Sequence, residues 1–312
     1  MRLPVALAFT VLISLAPARA GDLNEAPCWI QDAASIERTV WLLCARDQVF
    51  KSADEGATWQ ASRLPVSAKL RAIAFPDPVH GFIVGDGGAM LSTDNGGETW
   101  RPVESGVTEN LYDVFFRGES GWIAGGGGLI LHSADAGRTW KPMKSATTQT
   151  LEAVYFADAK RGWAAGWGGT IVRTLDGGET WEQTKTPQTA WSISSLIFSD
   201  PNNGWAVGLF GQILRSQDGG ATWKTQESPL KGSLSSIVFD RNGHGWITAE
   251  DSVLVSQDGG DTWRRVEFGE YVFLEQLIDV NGALWAVGPF GIHKRAGTEA
   301  RWERLSTLQA IS

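Results

Sequence analysis

The 312-residue chain carries 27 Lys and Arg against 35 Asp and Glu, a formal net charge of −8. An excess of acid does not suit nucleic acid or an anionic membrane as the main partner, because both call for a basic surface. The 16 Trp and 37 Gly are the informative excesses: Gly marks many tight turns, and Trp supplies large apolar area per residue.

The first twenty residues read as a secretory signal peptide rather than as part of the fold. Arg2 supplies the charge, Val5 to Leu15 an apolar run, and Ala18-Arg19-Ala20 an A-x-A cleavage site. No Cys follows the small residues, which argues against a lipid anchor. No later stretch reaches the eighteen or so apolar residues of a spanning helix. The expectation is an exported protein, periplasmic or secreted, whose residues 21–312 form one domain. Loss of Arg2 and Arg19 leaves 25 basic against 35 acidic residues.

Cys28 and Cys44 are the only cysteines, an even count in an oxidising compartment. The repeat frame puts Cys28 on the first strand of repeat one and Cys44 on the second. Antiparallel neighbours can bring the sulfurs into bridging range. A disulfide is expected, with two buried thiols as the alternative.

From Trp59 onward a period appears. Trp59, Trp100, Trp140, Trp181, Trp223, Trp263 and Trp302 are separated by 41, 40, 41, 42, 40 and 39 residues. Such spacing marks a propeller or solenoid. Repeat three shows the unit in full. Leu111 to Phe116 is a short strand, Gly118 to Gly121 a turn, and Trp122 to Gly125 a second strand. Gly126 to Gly128 turns again, Leu129 to His132 is a third strand, and Ser133 to Trp140 forms a box before the fourth. Short strands between Gly-rich turns, without helical periodicity, read as antiparallel β. Repeats two, four, five and six follow the same pattern. Repeat seven loses the box and repeat one loses the second-turn glycines, as terminal repeats often do. Seven units of four strands predict an all-β, seven-bladed β-propeller. A solenoid is disfavoured because no polar capping repeat is present.

The box reads Ser/Thr-x-Asp-x-Gly-x-Thr-Trp. Its acidic position holds Asp54, Asn95, Asp135, Asp176, Asp218 and Asp258. At a turn, a short carboxylate can accept N–H groups one or two residues on, and the following Gly permits positive φ. Asn95 can make most of the same bonds, which fits a structural turn better than a catalytic acid. Calcium needs six to eight oxygens and each box offers one carboxylate, so no metal is expected.

These boxes resemble those of the Asp-box, or bacterial neuraminidase repeat, propellers. The longer pattern is Leu-x-x-Val-x-Phe, Gly-Trp-x-x-Gly, then Ile-Leu-x-Ser-x-Asp-Gly-Gly-x-Thr-Trp. It is similar to that of the photosystem II stability/assembly factor-like propellers, over about residues 26 to 306. The resemblance implies a non-enzymatic lumenal or periplasmic protein that helps assemble membrane-protein complexes, the photosynthetic members engaging their partner through an arginine patch of their own. No residue of that patch is transferred here.

The enzyme alternative, a sialidase-like or glycan-binding propeller, requires three arginines around a carboxylate, a Tyr nucleophile with a Glu base, and an Asp acid. Tyr112, Tyr155 and Tyr271 are the only tyrosines, and Arg63-Leu-Pro65 is the nearest text to an Arg-Ile-Pro entry. Glu152 and Glu275 fall on inner strands and could pair across a channel, but read more simply as its solvated lining. The four His show no zinc spacing. No catalytic residue and no cofactor are expected.

Strand order places the connections between second and third strands on one face with the interblade links, and the boxes on the other. The first face holds Trp167, Phe210 and Phe290 in turns and Trp191 and Tyr271 in links, with Arg71, Asp113, Glu152 and Glu275 at the channel mouth. Aromatics on exposed loops of a rigid scaffold suit recognition. The expected partner is a protein, in a membrane or envelope complex, engaged by a monomer without membrane insertion.

Overall fold

The computed structural model describes residues 28–45, 47–188, 190–268, 272–289, 291–296 and 301–306. The signal-peptide reading of residues 1–20, Tyr271 and Phe290 lie outside them. The described residues form seven four-stranded antiparallel sheets, each made from one repeat in simple sequence order. Blade four is representative, with strands Leu151–Phe156, Gly162–Gly166, Ile171–Thr174 and Glu182–Gln183. Its second strand is buried at all five positions, which is why Gly-Trp-Ala-Ala-Gly carries no polar alternation. Its outer strand is two exposed polar residues, and so short and polar an edge offers little for another chain to pair with.

The blades are stapled by tryptophan. On second strands Trp41, Trp122, Trp163 and Trp205 are essentially inaccessible to solvent. Three stack on the Phe that closes the next blade's inner strand: Trp41 on Phe75, Trp122 on Phe156 and Trp163 on Phe198, at 3.7, 3.5 and 3.6 Å between centroids. Trp205 tilts on Phe239 at 4.5 Å. Each indole N–H also donates to a glycine carbonyl in the next blade's box: Gly96, Gly177, Gly219 and Gly260. The apolar ring and its one polar atom are thus both satisfied across the seam.

Closure joins blade seven to blade one. The Ala33 N–H donates to Gln276 Oε1 at 2.6 Å and the Ser35 hydroxyl to the Asp279 carbonyl at 2.6 Å. One apolar cluster merges Cys28, Ile30, Val40 and Leu42 with Val280, Trp285 and Val287. Cys28 and Cys44 are joined in a disulfide, with Cα atoms 5.6 Å apart. Cys28 lies just before the first strand, Ile30–Ile36, rather than on it. Ile30 takes the place opposite Cys44 in the ladder, so the bridge ties the entering chain beside that pair.

Candidate binding face

The inner strands carry one device in almost every blade. Register slips between Ile30 and Asp32, Leu70 and Ala72, Leu151 and Ala153, and Ile193 and Ser195. Similar slips occur at Leu111 and at Leu234. A bulge leaves its extra residue unpaired and re-aims the side chain. The residues so released are Gln31, Arg71, Tyr112, Glu152, Ser194 and Ser235, with Glu275 in the equivalent place of blade seven. All seven line a central cavity of about 340 Å³. Arg71, Glu152 and Glu275 were expected there. The other four were missed, although aligning the residue after the leading Leu or Ile of each repeat would have found them.

In blades one, three, six and seven the next residue is structural. Asp32 Oδ2 accepts the Ile73 N–H, and Asp113 Oδ2 the Val154 N–H, both at 2.7 Å. Ser236 Oγ accepts from Leu277 at 3.3 Å, and Gln276 closes the ring as described. These side chains reach the neighbouring blade's backbone. Asp113 is therefore a seam residue as much as a channel residue. Burial raises Asp32 to about 8, helped by the charge of Asp113, and raises Asp113 itself to about 6. Burial also raises Glu275.

Arg71 binds the Asp86 carboxylate through Nε, and its guanidinium lies 4.5 Å from the Tyr112 ring centroid. Among the described residues it is the one arginine lining the cavity, whereas a carboxylate clamp of the sialidase kind needs three. The Tyr155 hydroxyl donates to the Phe198 carbonyl at 3.2 Å across the next seam, so it is a packing residue.

Beside this mouth three of the expected aromatics stand out from the surface. Trp167, Trp191 and Phe210 are 51, 55 and 59 % exposed. Trp191 and Phe210 meet edge to face at 4.7 Å. The Trp191 link is pinned by Gln212, which accepts the Trp191 N–H at 2.8 Å and donates to its carbonyl at 3.4 Å. Glu152 ties the group together: Oε1 accepts the Trp167 indole N–H and Oε2 the Ser192 hydroxyl, each at 2.8 Å. Leu209, and Trp29 beside the disulfide, are further exposed apolar residues that sequence reasoning did not single out.

The boxes occupy the opposite rim, bonded to the turns between first and second strands through contacts such as Gly96 N–H to Val79 O and Gly177 N–H to Lys160 O. In the third box Ser133 Oγ donates to Asp135 Oδ1 at 2.8 Å and accepts the Gly137 N–H at 2.8 Å. Asp135 then accepts the Thr139 N–H at 2.9 Å and hydroxyl at 2.7 Å. The carboxylate thus reaches four residues on, not one or two. The same set recurs at Asp54, Asp176, Asp218 and Asp258. Asn95 matches it by donating its amide to Thr99 Oγ1 at 2.8 Å. The Thr bonds hold Asp135, Asp176 and Asp258 down to about 2. Each carboxylate is already fully engaged within its own turn. His80 and His244 pair with Asp77 and Asp240 on this rim. Among the described residues no three His, Cys, Asp or Glu are grouped to hold a metal ion.

A family-wide profile described as "Photosynthesis system II assembly factor YCF48" matches residues 51–147 and 186–273. The chain is 39 % identical over 67 residues to the photosystem II assembly lipoprotein Ycf48 of Trichormus variabilis, covering 20 % of each chain. It is 47 % identical over 49 residues to the chloroplastic photosystem II stability/assembly factor HCF136 of Cyanidioschyzon merolae, covering 15 % of this chain and 11 % of that one. These matches span about a fifth or less of the relatives' length. A solved structure titled "YCF48 bound to D1 peptide" superposes with a TM-score of 0.67 at 20 % identity, covering 81 % of this chain and 86 % of that one. The WD40 propeller domain of Doa1 reaches a TM-score of 0.71 at 10 % identity, over 91 and 98 %. At these identities the likeness to solved structures is one of fold.

Proposed function

The chain belongs to the photosystem II assembly factor Ycf48 family, and from that premise we propose that it is a non-enzymatic, exported scaffold that binds a protein segment during assembly of a membrane complex. The observation that carries this reading is the gathering of Trp167, Trp191 and Phe210 beside the channel mouth, on a ring whose blades are stapled together. A rigid scaffold presenting aromatics at little entropic cost is suited to holding a peptide. The relative solved with a D1 peptide supports a polypeptide ligand. Export is proposed from residues 1–20, and relatives named as lipoproteins agree with it. A non-catalytic role is proposed because Asp32, Asp113 and Tyr155 bridge blades, Arg71 is held by Asp86, and Glu152 is held by Trp167 and Ser192. No observation favours the glycan or sialidase-like alternative.

The test is site-specific photocrosslinking from position 210 in the native host, followed by mass spectrometry of the adduct. A single integral-membrane subunit as the adduct supports the scaffold. Adducts with soluble proteins alone, or turnover of fluorogenic glycosides by the purified chain, overturn it.

A further inference from the structure

The connection between second and third strands is built alike in blades two to five, as a three-residue turn whose middle residue is left-handed. Gly87, Gly127 and Gly168 fill that middle position at φ +65, +65 and +63. In blade five it is Phe210, at φ +57. A bulky residue in this region costs on the order of 1 kcal/mol or more and is a true outlier. The neighbouring turns show that Gly serves the fold there, and the Phe ring gains little from burial because it is 59 % exposed. The side chain is therefore kept for what it presents. Its ring partner Trp191 is held in place by Gln212, and Trp167 is held by Glu152.

The charge within this group is equally specific. Glu152 accepts two hydrogen bonds, both from neutral donors, the Trp167 indole and the Ser192 hydroxyl. Among the described residues no Lys, Arg or His makes an ion pair with it. The neighbouring cation, Arg71, is held by Asp86. An anion set among exposed indole and phenyl faces is complementary to a cation on an apolar stem, since aromatic faces attract cations electrostatically.

We propose that Glu152, Trp167, Trp191 and Phe210 form a site for an Arg or Lys side chain flanked by apolar residues, within the partner's polypeptide. This rests on the reading of the chain as a peptide-binding scaffold and names the chemistry of what it binds. Phe210 and Trp191 cover the apolar flank, and Glu152 receives the charged head. The site selects basic over neutral segments and rejects acidic ones.

The experiment uses the full chain labelled with 5-fluorotryptophan, with the Trp167 and Trp191 resonances assigned from Trp167→Phe and Trp191→Phe. The probe is acetyl-Leu-Arg-Leu-amide, with citrulline or Glu replacing Arg as controls. The expected result is that the Arg peptide moves both resonances with at least about tenfold higher affinity than the citrulline peptide, a difference of about 1.4 kcal/mol. Glu152→Gln should remove that preference, and Phe210→Gly should weaken every peptide while leaving the melting temperature unchanged or raised. Equal binding of Arg and citrulline peptides, tighter binding of the Glu peptide, no response to any peptide, or a larger response to phosphatidylcholine vesicles each overturns the proposal. The scaffold reading is judged separately, because crosslinking to a membrane subunit does not depend on a basic side chain.

Discussion

The Trp122 indole lies flat on Phe156 of the following blade, 3.5 Å between centroids and 15° between planes, while its N–H donates to the Gly177 carbonyl at 3.1 Å. The second box glycine follows from this contact. Gly178 has φ +96, and a Cβ added there would lie 2.7 Å from Trp122 Nε1. Gly97, Gly220 and Gly260 face Trp41, Trp163 and Trp205 in the same way. The box is therefore half of an interblade joint as well as a turn.

Gly178→Ala should cost about 2–4 kcal/mol, combining left-handed strain with collision against a ring that cannot move. Gly87→Ala is the matched control: it shares a positive φ of +65, but nothing lies within 4 Å of its added Cβ. That variant should lose only about 1 kcal/mol. Urea unfolding of the two variants checks the difference, and equal losses would refute the joint.

Much of this architecture is legible in the chain because the period of the Trp is a linear property. Seven returns of the Trp, six of them within a Ser/Thr-x-Asp/Asn-x-Gly-x-Thr-Trp box, specify blade number, strand order and faces together. The partner of each residue is a different matter. Trp122 and Gly178 are 56 positions apart, and only ring geometry brings them into contact. The bulge ring is hidden for a related reason. Gln31, Tyr112 and Ser194 share no chemistry, so side-chain type cannot reveal a position defined by backbone slip. Phe210 looks like an ordinary loop aromatic until its φ is compared with that of Gly87, Gly127 and Gly168.

The boxes should depend more on the hydroxyl than on the acid. Thr174 is buried and binds both Asp176 and the Gly178 N–H, whereas Asp176 is exposed. Thr174→Ala leaves a buried N–H without its acceptor and should cost about 1–3 kcal/mol. Asp176→Ala should cost about 1 kcal/mol, since water can reach the groups it leaves. Asp176→Asn should be nearly neutral, as Asn95 already does this work. The order of melting temperatures among the three variants decides the point.

Replacing Cys44 by Ser should destabilise by about 3 kcal/mol, because the bridge spans a sequence separation of 16. The loss should appear first at the seam between blades seven and one, where Cys28 and Cys44 share a cluster with Trp285 and Val287. Hydrogen exchange resolved to peptides reads this directly. Uniform loss of protection around the ring would show that the bridge does not act on closure.

Asp32 gives the protein a slope against pH whose sign can be worked out. Its folded pKa of about 8 lies far above the value of 3.8 expected of an unperturbed Asp. Between those values the folded state holds a proton that the unfolded chain has released. The contribution to stability is thus complete below about pH 4 and is lost as pH rises through 8, by at most about 1.4 kcal/mol per pH unit. Asp113, at about 6, adds to the lower part of that window. The box acids act in the opposite sense: held near 2, they contribute fully above about pH 4 and lose that contribution as pH falls. Asp32→Asn keeps an oxygen that can accept the Ile73 N–H but carries no titrating proton. Denaturant unfolding at about pH 6 and about pH 8 should show the wild-type protein losing stability with rising pH and the variant losing less. The variant should be the more stable of the two at the higher pH. Parallel curves would mean that the channel hydrates Asp32 enough for it to ionise normally.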